Sequence, residues 1–495
     1  MCDRRIQPIK PRLSNDFFIL ANALGRELQN NGDAAHGREG SIARLDNFLP
    51  ASFASALTCP LRWCMFTPAP VSVPTPAIVF DDAHGVLTPL DDLRPRALIR
   101  SGGLTMLTRF QHTLDLAIVA AFVRTDRAEL AKEQFAAEGH ALNVNTVPQA
   151  VIQSNVPVML INSRCVLPWP HLRQIAPGTA LIEEETGHLI AAMVKANTCA
   201  ALAQSLTTNA GASLAGFTTE TIPGPALISR PWHIRHFRDA AISTDLATLQ
   251  RDQENLQAVP SCTVIGMRPL TIAATAKVYP GTIFDCESGG IHIADGAIIR
   301  PGCTIIGPAI IGQGTTVLDR AVIKANTAIG PQCKVAGEIG GTIFQGFANK
   351  SHEGHLGDSW IGQWANLGAG TTNSNLLNTY GEVIMKLLPG SQSERTGHQF
   401  IGCILGDHVK MAICTRIMTG VIVHTGAMWA AGQAVTGCVP PFAWVTDATP
   451  AGTKFFRADK FLEIAQTVMA RRSTTIGPAY AGTITVMLAD KAKLS

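Results

Sequence analysis

Branched apolar residues recur every six positions through the second half of this chain. Eight isoleucines or valines follow one another at that interval: Ile293, Ile299, Ile305, Ile311, Val317, Ile323, Ile329 and Val335. Four residues after each lies a small or compact residue: Ala297, Cys303, Ala309, Thr315, Ala321, Thr327, Cys333 and Ile339. A period of six fits neither an α-helix nor an alternating strand, but it is typical of a hexapeptide β-helix with a narrow prism-shaped core. The pattern therefore predicts a left-handed parallel β-helix.

The hexad register is interrupted at 340–356 and again at 377–400. Hexads return between Leu405 and Val435. Interruptions of a regular solenoid are expected to form loops on one face, where binding and catalytic sites are commonly built. In the segment 460–472 the apolar residues share one helical face, which predicts a helix that caps the end of the solenoid.

The N-terminal half has a different pattern, in which short apolar runs alternate with helical stretches. The runs over 77–82, 116–123, 157–162 and 180–194 predict strands, and the stretches 104–114, 127–139 and about 247–258 predict helices. Such alternation favours a mostly parallel, doubly wound α/β sheet, which is a Rossmann-like arrangement. We divide the chain into an extension or linker (1–76, with a small helical domain as the alternative), an α/β domain with its connector (77–258), the β-helix (259–450), and a C-terminal helix and tail (451–495).

Composition indicates which partners and which cellular compartment to expect, but says little about the chemistry. Of the 495 residues 46% are hydrophobic and 16% charged, and the formal net charge is +3, too small to indicate a nucleic acid or an anionic membrane as partner. The sequence contains no apolar run long enough to predict a transmembrane helix and no secretory signal pattern. We therefore expect the 12 cysteines to be reduced thiols and the protein to be cytoplasmic.

The densest polar cluster is the segment NKSHEGHLGDSWIGQWANLGAGTTNSN, residues 349–375. It contains a histidine, then Leu-Gly-Asp, then IGxxxNxGAGTxxxN, beginning with His352. This pattern resembles the bifunctional N-acetylglucosamine-1-phosphate uridylyltransferase/glucosamine-1-phosphate N-acetyltransferase family, and within it the GlmU-like sugar nucleotidyltransferases. The resemblance is specific over about 290–440 and extends more weakly to the α/β domain, for which it implies a nucleotidyltransferase-like fold.

The resemblance implies a bifunctional transferase of sugar-nucleotide biosynthesis. It would transfer an acetyl group from acetyl-CoA to an amino-sugar 1-phosphate, and then a nucleotidyl group from a nucleoside triphosphate with Mg²⁺. By motif position His352 is the general base, and histidine suits this role because it commonly titrates near neutrality. The residues that would bind the sugar phosphate are Lys350, Asn366, Asn375, His355 and, behind them, Lys334. Gly368, Ala369 and Gly370 would let the pantetheine arm approach the backbone. The resemblance also implies a homotrimer.

Each of these residues also has a plainer explanation. The asparagines and glycines suit the corners of a solenoid, where left-handed backbone is common. A lysine or histidine in a loop is often only solvated. Four further histidines (His355, His398, His408 and His424) raise the alternative of a zinc site, although their spacing matches no metal motif that we find.

The α/β domain departs from the family's nucleotide-binding pattern. The Gly-rich loop ending in Thr-Arg-Met is absent, and Asn162 stands where an acidic metal ligand is expected. Candidate replacements are a phosphate cradle formed by Arg94, Arg100, Gly102 and Gly103 before a helix, and Mg²⁺ ligands at Asp81 and Asp82. A turn before a helix and a solvated Asp-Asp pair are the alternatives. In the β-helix, His355 and Leu376 stand where the family has tyrosines that line the sugar site.

Three functions thus remain open on the sequence. The favoured one is the bifunctional enzyme. The second is a nucleotidyltransferase whose β-helix serves only as an oligomerisation scaffold. The third is a non-catalytic subunit that binds a sugar nucleotide or supports assembly, for which the missing Gly-rich loop is the main argument.

Overall fold

The computed structural model describes residues 74–208, 213–251 and 253–490. Almost all of the predicted extension over 1–76 therefore lies outside the described residues. The described chain consists of two regions, an α/β domain and a parallel β-helix, with two helices after the β-helix.

The α/β domain is built on a seven-stranded sheet in the order β3-β2-β1-β4-β6-β5-β7. Strand β1 pairs in parallel with β2 and β4, whereas β6 is antiparallel to both of its neighbours. The inner strands are buried almost throughout, as expected for a sheet covered on both faces. The strands are β1 Thr75–Phe80, β2 Leu116–Phe122, β3 Asn143–Val144, β4 Val158–Asn162, β5 Thr179–Glu183, β6 Leu189–Val194 and β7 Thr218–Ile222.

The helices of this domain flank the sheet and lead into the β-helix. They are α1 Met106–Leu114, α2 Ala128–Ala137, α3 Gln149–Ile152, α4 Pro170–Gln174, α5 Cys199–Thr207 and α6 His233–Leu249, with 3-10 turns at Arg96–Leu98, Thr125–Arg127 and Ala196–Thr198. Helix α1 begins after Thr105, whose hydroxyl accepts a hydrogen bond from the backbone N–H of Thr108 at 3.1 Å.

Two predictions of elements in this domain are wrong in detail. The segment 180–194 forms two antiparallel strands, because the chain reverses at Gly187, whose φ is +68°. The connector helix α6 ends at Leu249, so the described part of 250–258 carries no helix. The apolar residues that anchor this helix lie before the predicted segment. Examples are Phe237 and Ile242, which are buried.

The second region is a β-helix with three faces of short parallel strands. Face A comprises Lys277–Val278, Ile298–Ile299, Thr316–Val317, Lys334–Val335, Asn349–Lys350, Asn366–Leu367, Lys410–Met411, Met428–Ala430 and Trp444–Thr446. Face B comprises Thr263–Ile265, Ile283–Asp285, Thr304–Ile306, Val322–Ile323, Glu338–Gly340 and His355–Gly357, followed by the separate pair Thr372–Asn373 and Arg416–Ile417. Face C comprises Leu270–Ile272, Ile291–Ile293, Ala309–Ile311, Thr327–Ile329, Ile343–Phe344, Trp360–Ile361, Cys403–Leu405, Val421–Val423 and Cys438–Val439.

The hexad prediction is confirmed by burial. All eight of the branched residues that define the period, from Ile293 to Val335, are 0% exposed and belong to one apolar core. Burying each such side chain contributes about 1.5–3 kcal/mol relative to leaving it in water. The regular period thus stabilises the prism along its whole length.

The interruption at 340–356 is a shortening of the coils, not a loop. On face A, Val317 stacks on Val335, which is 18 residues away, but Val335 stacks on Lys350, only 15 residues away. The stacking continues without a gap through these coils. The second interruption does leave the coil, and it contains an antiparallel hairpin of Ile384–Lys386 with Ser393–Arg395.

Two helices follow the β-helix, α7 Ala458–Ala470 and α8 Pro478–Asp490. The sequence predicts the first and misses the second. Phe461, Ala465 and Met469 of α7 are buried in a cluster that includes Trp364 of the β-helix. The N-terminus of α8 is capped from the α/β domain, since the carboxylate of Glu133 in α2 accepts hydrogen bonds from the N–H groups of Ala479 and Tyr480 at 2.9 and 3.1 Å. In the described part of the chain no helix has the length and apolar character to cross a bilayer.

The nine cysteines among the described residues are all free thiols. Burial raises the pKa of several of them, to about 12 for Cys333 and Cys403. These thiols fill small corner positions of the coil and are packing groups.

Candidate active site

A cavity of about 750 Å³ lies against face A of the β-helix. Its floor is a column of polar side chains that point out of the coil at one register position: Lys334, Asn349, Asn366 and Lys410. Stacked parallel strands place equivalent positions about 4.8 Å apart, so residues far apart in sequence form one continuous surface. Five predicted site residues meet around this cavity, namely Lys334, His352, Asn366, Gly368 and Ala369.

His352 stands at the corner between faces A and B, at the edge of the cavity. Its side chain is exposed. Within the described chain the imidazole has no hydrogen-bond partner, whereas His408, for example, is bonded through Nε2 to the hydroxyl of Tyr480 at 2.9 Å. No group of the described residues therefore occupies the ring nitrogens of His352.

Four cationic side chains surround the cavity, and none of its described lining residues is acidic. Lys334 and Lys410 rise from the floor, and Arg471 and Arg472 come from the C-terminal end of α7. Nη2 of Arg472 donates to Oδ1 of Asn349 at 2.9 Å, which joins the helix end to the polar column. Such a concentration of one sign of charge favours an anionic ligand.

Lys410 differs from Lys334 and Arg471, which are exposed, because it is half-buried. Its ammonium donates to the backbone carbonyl of Trp364 at 2.6 Å. Burial lowers the pKa of Lys410 to about 8. The charge that this lysine contributes to the cavity therefore depends on pH in the range just above neutrality.

One wall of the cavity is aromatic. The rings of Phe347 and Trp364 stack with their centroids 4.5 Å apart. Ile413, which is 72% exposed, also lines the cavity. The site thus combines an apolar wall with a cationic floor, a composition suited to a ligand that carries both a flat or apolar group and phosphate.

The structure places Lys350 away from this cavity. It stacks on Val335, points into the coil and is 1% exposed. Its ammonium donates to the backbone carbonyls of His352 at 2.9 Å and Glu353 at 3.1 Å, and more weakly to that of Ala336 at 3.4 Å. Burial lowers the pKa of Lys350 to about 8. Its three donors already have acceptors, so the predicted phosphate contact does not fit this position.

Three other predicted residues also lie outside the cavity lining. His355 and Asn375 flank Gly357 on the face B side of the corner. There Nδ2 of Asn375 donates to Oδ2 of Asp358 at 2.8 Å, and Asp358 is also bound by Nη1 of Arg238 at 2.6 Å. Gly370, the third predicted residue, has a positive φ of +70° and serves as a corner. The geometry therefore separates a cavity on face A from a polar surface on face B.

Packing between coils also explains why glycine stands at Gly368, one of the residues predicted to contact the pantetheine arm. A Cβ on Gly368 would lie 2.6 Å from the backbone nitrogen of Ile413 in the next coil. The close stacking of coils alone therefore excludes a side chain at this position.

In the α/β domain the two candidate Mg²⁺ ligands are occupied by arginines. Asp82 is 6% exposed and forms an ion pair with Arg164 at 2.6 Å, while Asn162 donates to the same carboxylate at 2.8 Å. The guanidinium of Arg164 and the hydrogen bond from Asn162 lower the pKa of Asp82 despite its burial. Asp81 is paired with Arg96 at 3.0 Å. Cations at these distances oppose a divalent metal ion, so this donor set does not fit Mg²⁺.

The predicted phosphate cradle is filled by the protein itself. Oδ2 of Asp245, from helix α6, accepts the backbone N–H of Leu104 at 2.9 Å, and the same carboxylate is held by Nε and Nη2 of Arg109 at 2.7 and 2.8 Å. A Cβ on Gly102 would lie 2.5 Å from that carboxylate, and one on Gly103 would lie 2.5 Å from Ile310 of the β-helix. The loop thus binds an internal anion and packs on the next domain.

The two flanking arginines of the cradle are likewise engaged at the boundary between the two regions. Arg94 is 2% exposed and forms a 2.7 Å ion pair with Asp407 of the β-helix. Arg100 donates through Nε to the carbonyl of Gln345 at 3.1 Å. These contacts make the cradle an interface and leave no arginine of the set for a nucleotide.

A zinc site is not supported either. Over 74–208, 213–251 and 253–490, no three His, Cys, Asp or Glu residues lie close enough together to hold a metal ion. His424, for example, is buried and its Nε2 lies 2.9 Å from the carbonyl of Leu387.

Sequence reasoning missed Lys410, Asn349, Arg471 and Arg472. Lys410 precedes the hexad residue Met411 as Lys334 precedes Val335, so the hexad register contained a signal for it. The Arg-Arg pair directly follows the predicted C-terminal helix, but its position over the cavity depends on how that helix packs.

Comparisons with known proteins agree with this architecture. A family model described as sugar nucleotidyl transferase matches residues 77–254, about a third of the chain. No curated protein matches the sequence.

Among solved structures, the chain is similar to a hexapeptide transferase family protein from Anaplasma phagocytophilum, with 15% identity and a TM-score of 0.22 over 48% of this chain and 97% of that one. It is also similar to the UDP-N-acetylglucosamine acyltransferase of Francisella novicida, with 16% identity and a TM-score of 0.17 over 43% of this chain and 74% of that one. Values this low carry no argument about function, which depends on the site itself.

Proposed function

We propose that this protein is an acyltransferase that moves an acetyl group from acetyl-CoA to the amine of a phosphorylated amino sugar. The observation that carries the proposal is the unpartnered imidazole of His352 at the edge of a cavity with four cations and no acidic group among its described lining residues. Both substrates carry phosphate groups and one reacting centre that must lose a proton. The cavity supplies a base and a cationic surface in the same place.

The chemistry assigned to the chain is proton transfer at His352. A neutral imidazole accepts the proton of the attacking amine while the nitrogen bonds to the thioester carbonyl carbon. The resulting imidazolium then gives that proton to the sulfur as the carbon–sulfur bond breaks, which leaves an amide and a free thiol. General base catalysis of this kind typically contributes about 10²–10⁴-fold in rate.

The cations have separate places and therefore separate proposed roles. Arg471 and Arg472 stand at the rim and would bind the phosphates of the acyl donor, whose adenine suits the aromatic wall of Phe347 and Trp364. Lys334 and the amide of Asn366 lie on the floor and would hold the sugar phosphate and its hydroxyl groups. Asn366 and Lys334 thus keep their predicted roles in binding the sugar phosphate. We assign to them the phosphate contact that was predicted for Lys350.

Nucleotidyl transfer is the second candidate function, and the match of residues 77–254 to a sugar nucleotidyl transferase family favours it. Of the groups predicted to carry it, Asp82 and Asp81 form ion pairs with Arg164 and Arg96. The predicted phosphate cradle is occupied by the carboxylate of Asp245. We therefore propose acetyl transfer as the main activity and expect no metal-dependent nucleotidyl transfer through Asp81 and Asp82.

We also propose that the protein works as a homotrimer in the cytoplasm. The side chain of Ile413, 72% exposed beside the cavity, is an apolar group that a neighbouring subunit would cover.

The test is thiol release from acetyl-CoA by the full-length protein with a panel of amino-sugar 1-phosphates. We expect activity with at least one sugar, and a fall of about 10²–10⁴-fold in kcat in His352→Ala. The matched control is His171→Ala, an exposed histidine of α4, which should retain wild-type activity. Absence of thiol release with every amine, together with pyrophosphate release from a nucleoside triphosphate, would replace this proposal with the nucleotidyltransferase.

A further inference from the structure

The corner that carries His352 is longer than the corner beneath it. From the inward residue of face A to that of face B, the upper corner runs from Lys350 to Leu356, a separation of six residues. The lower one runs from Val335 to Ile339, a separation of four residues. Two stacked coils of unequal length cannot pair all their corner carbonyls through the regular ladder.

Backbone contact fixes how closely the two corners approach. A Cβ on Gly337 in the lower corner would lie 2.6 Å from the carbonyl oxygen of Gly354 and 3.1 Å from that of His352. Above them, a Cβ on Gly354 would lie 2.2 Å from the carbonyl oxygen of Thr371. The His352 corner is therefore held between the coils before and after it, with no room for a side chain at Gly337 or Gly354.

Lys350 fills the space that the mismatch leaves inside the coil. The equivalent inward positions in the neighbouring coils are Val335 and Leu367, both apolar and buried. An unpaired ammonium at such a position is strongly unfavourable, so a lysine here needs hydrogen-bond acceptors. It finds them in the carbonyls of His352, Glu353 and Ala336, which join the longer corner to the shorter one.

We propose that Lys350 is a positioning residue that fixes the backbone of His352 from inside the coil. The inference rests on the proposed function, because it assigns Lys350 a role in acetyl transfer through His352. The carbonyl that accepts the 2.9 Å hydrogen bond belongs to His352 itself, one bond from the Cα that carries the imidazole. Loss of the ammonium releases two consecutive corner carbonyls, so the ring loses its fixed place over the cavity.

The first test measures the corner without reference to activity. Lys350→Met keeps the length of the side chain and removes the ammonium, and Lys277→Met makes the same change at an exposed lysine on face A, far from the site. We expect amide hydrogen exchange over 351–354 to rise by about tenfold or more in Lys350→Met and to be unchanged in Lys277→Met. Equal exchange in wild type and Lys350→Met would overturn the proposal.

The second test asks whether the loss acts through His352. In Lys350→Met we expect kcat to fall by about 10²-fold with the KM for acetyl-CoA nearly unchanged, because a displacement of about 1 Å costs this much. In the His352→Ala background the same change should have almost no further effect. An equal fall in both backgrounds would show that Lys350 acts independently of His352 and would refute the assignment.

A destabilised control separates positioning from loss of fold. Val317→Ala opens a cavity in the same inward column, two coils away, and should lower the urea midpoint of unfolding without changing kcat. If Lys350→Met does not fold, Lys350→Leu, which copies Leu367 of the next coil, takes its place in both tests. If wild type releases no thiol with any amine, the proposed function fails, and with it the catalytic role of Lys350, while the exchange measurement still decides whether Lys350 holds the corner.

Discussion

Replacement of Asp245 by asparagine should destabilise the protein more than any change of an exposed charge. Asp245 and Arg109 are both 0% exposed, and the carboxylate accepts two hydrogen bonds from the guanidinium at 2.7 and 2.8 Å. It also accepts the N–H of Leu104 at 2.9 Å. Removing the negative charge leaves a buried guanidinium bonded only to neutral oxygens, among them the hydroxyl of Ser101 at 2.7 Å.

The size of the expected loss of stability depends on how deeply the ion pair is buried. Removing one partner of a fully buried ion pair typically costs about 3–5 kcal/mol, since the other charge remains without compensation. The exposed pair of Arg124 and Asp126 offers a control, because both side chains are more than half exposed and such pairs contribute about 0–1 kcal/mol. We therefore expect Asp245→Asn to lower the free energy of unfolding by several times the effect of Asp126→Asn.

The assay is urea denaturation of the full-length variants, followed by circular dichroism. A matched double variant, Arg109→Met with Asp245→Leu, should recover most of the lost stability because it removes both charges together. A loss below about 1 kcal/mol in Asp245→Asn would refute the argument that this carboxylate fills the loop as a structural anion. So would stabilisation of the wild-type protein by added inorganic phosphate, since the loop would then bind phosphate although Asp245 is present.

Two further predictions concern the cavity. Arg472→Ala should raise the KM for acetyl-CoA by about tenfold, equivalent to about 1.4 kcal/mol. The difference in KM from wild type should shrink as salt is added. The control Lys460→Ala, at an exposed lysine of α7, should change neither the KM nor its dependence on salt. The lysine at position 410 has a pKa lowered to about 8 by burial, so its charge is present below pH 8 and is lost as the pH rises through that value. The KM for the anionic substrate that Lys410 contacts should therefore rise above pH 8 in wild type, and in Lys410→Met it should be high at every pH without that rise; identical pH profiles would contradict this assignment.

The sequence predicts the β-helix well because branched and small side chains at a regular interval fill most of its narrow core. Eight residues at a strict interval leave no other period, and all eight are buried. The same register placed Lys334 and Asn366 on the outer surface of face A, where the cavity lies. The register could not reveal that the coil from Val335 to Lys350 has only 15 residues. Its shorter corner places Lys350 in the core instead of on the surface.

The errors in the α/β domain have a different physical cause. The local pattern of Ser101-Gly102-Gly103 before a helix is the same for a bound phosphate and for an internal carboxylate. Asp245 lies 141 positions from Leu104 in the chain, and its approach depends on the packing of helix α6. A local motif therefore predicted an anion site correctly, but the identity of the anion is decided by tertiary structure.

The two C-terminal helices mean that the regions recognised in the sequence are not separable parts. Helix α7 brings Arg471 and Arg472 to the cavity, and α8, which packs beside it, is capped by Glu133 of the α/β domain. A fragment cut at 259–450 would keep the base and the polar floor but lose half of the cationic groups. An exchange of the N-terminal domain for that of a relative would have to preserve the cap on α8 if the new protein is to keep its affinity for anionic substrates.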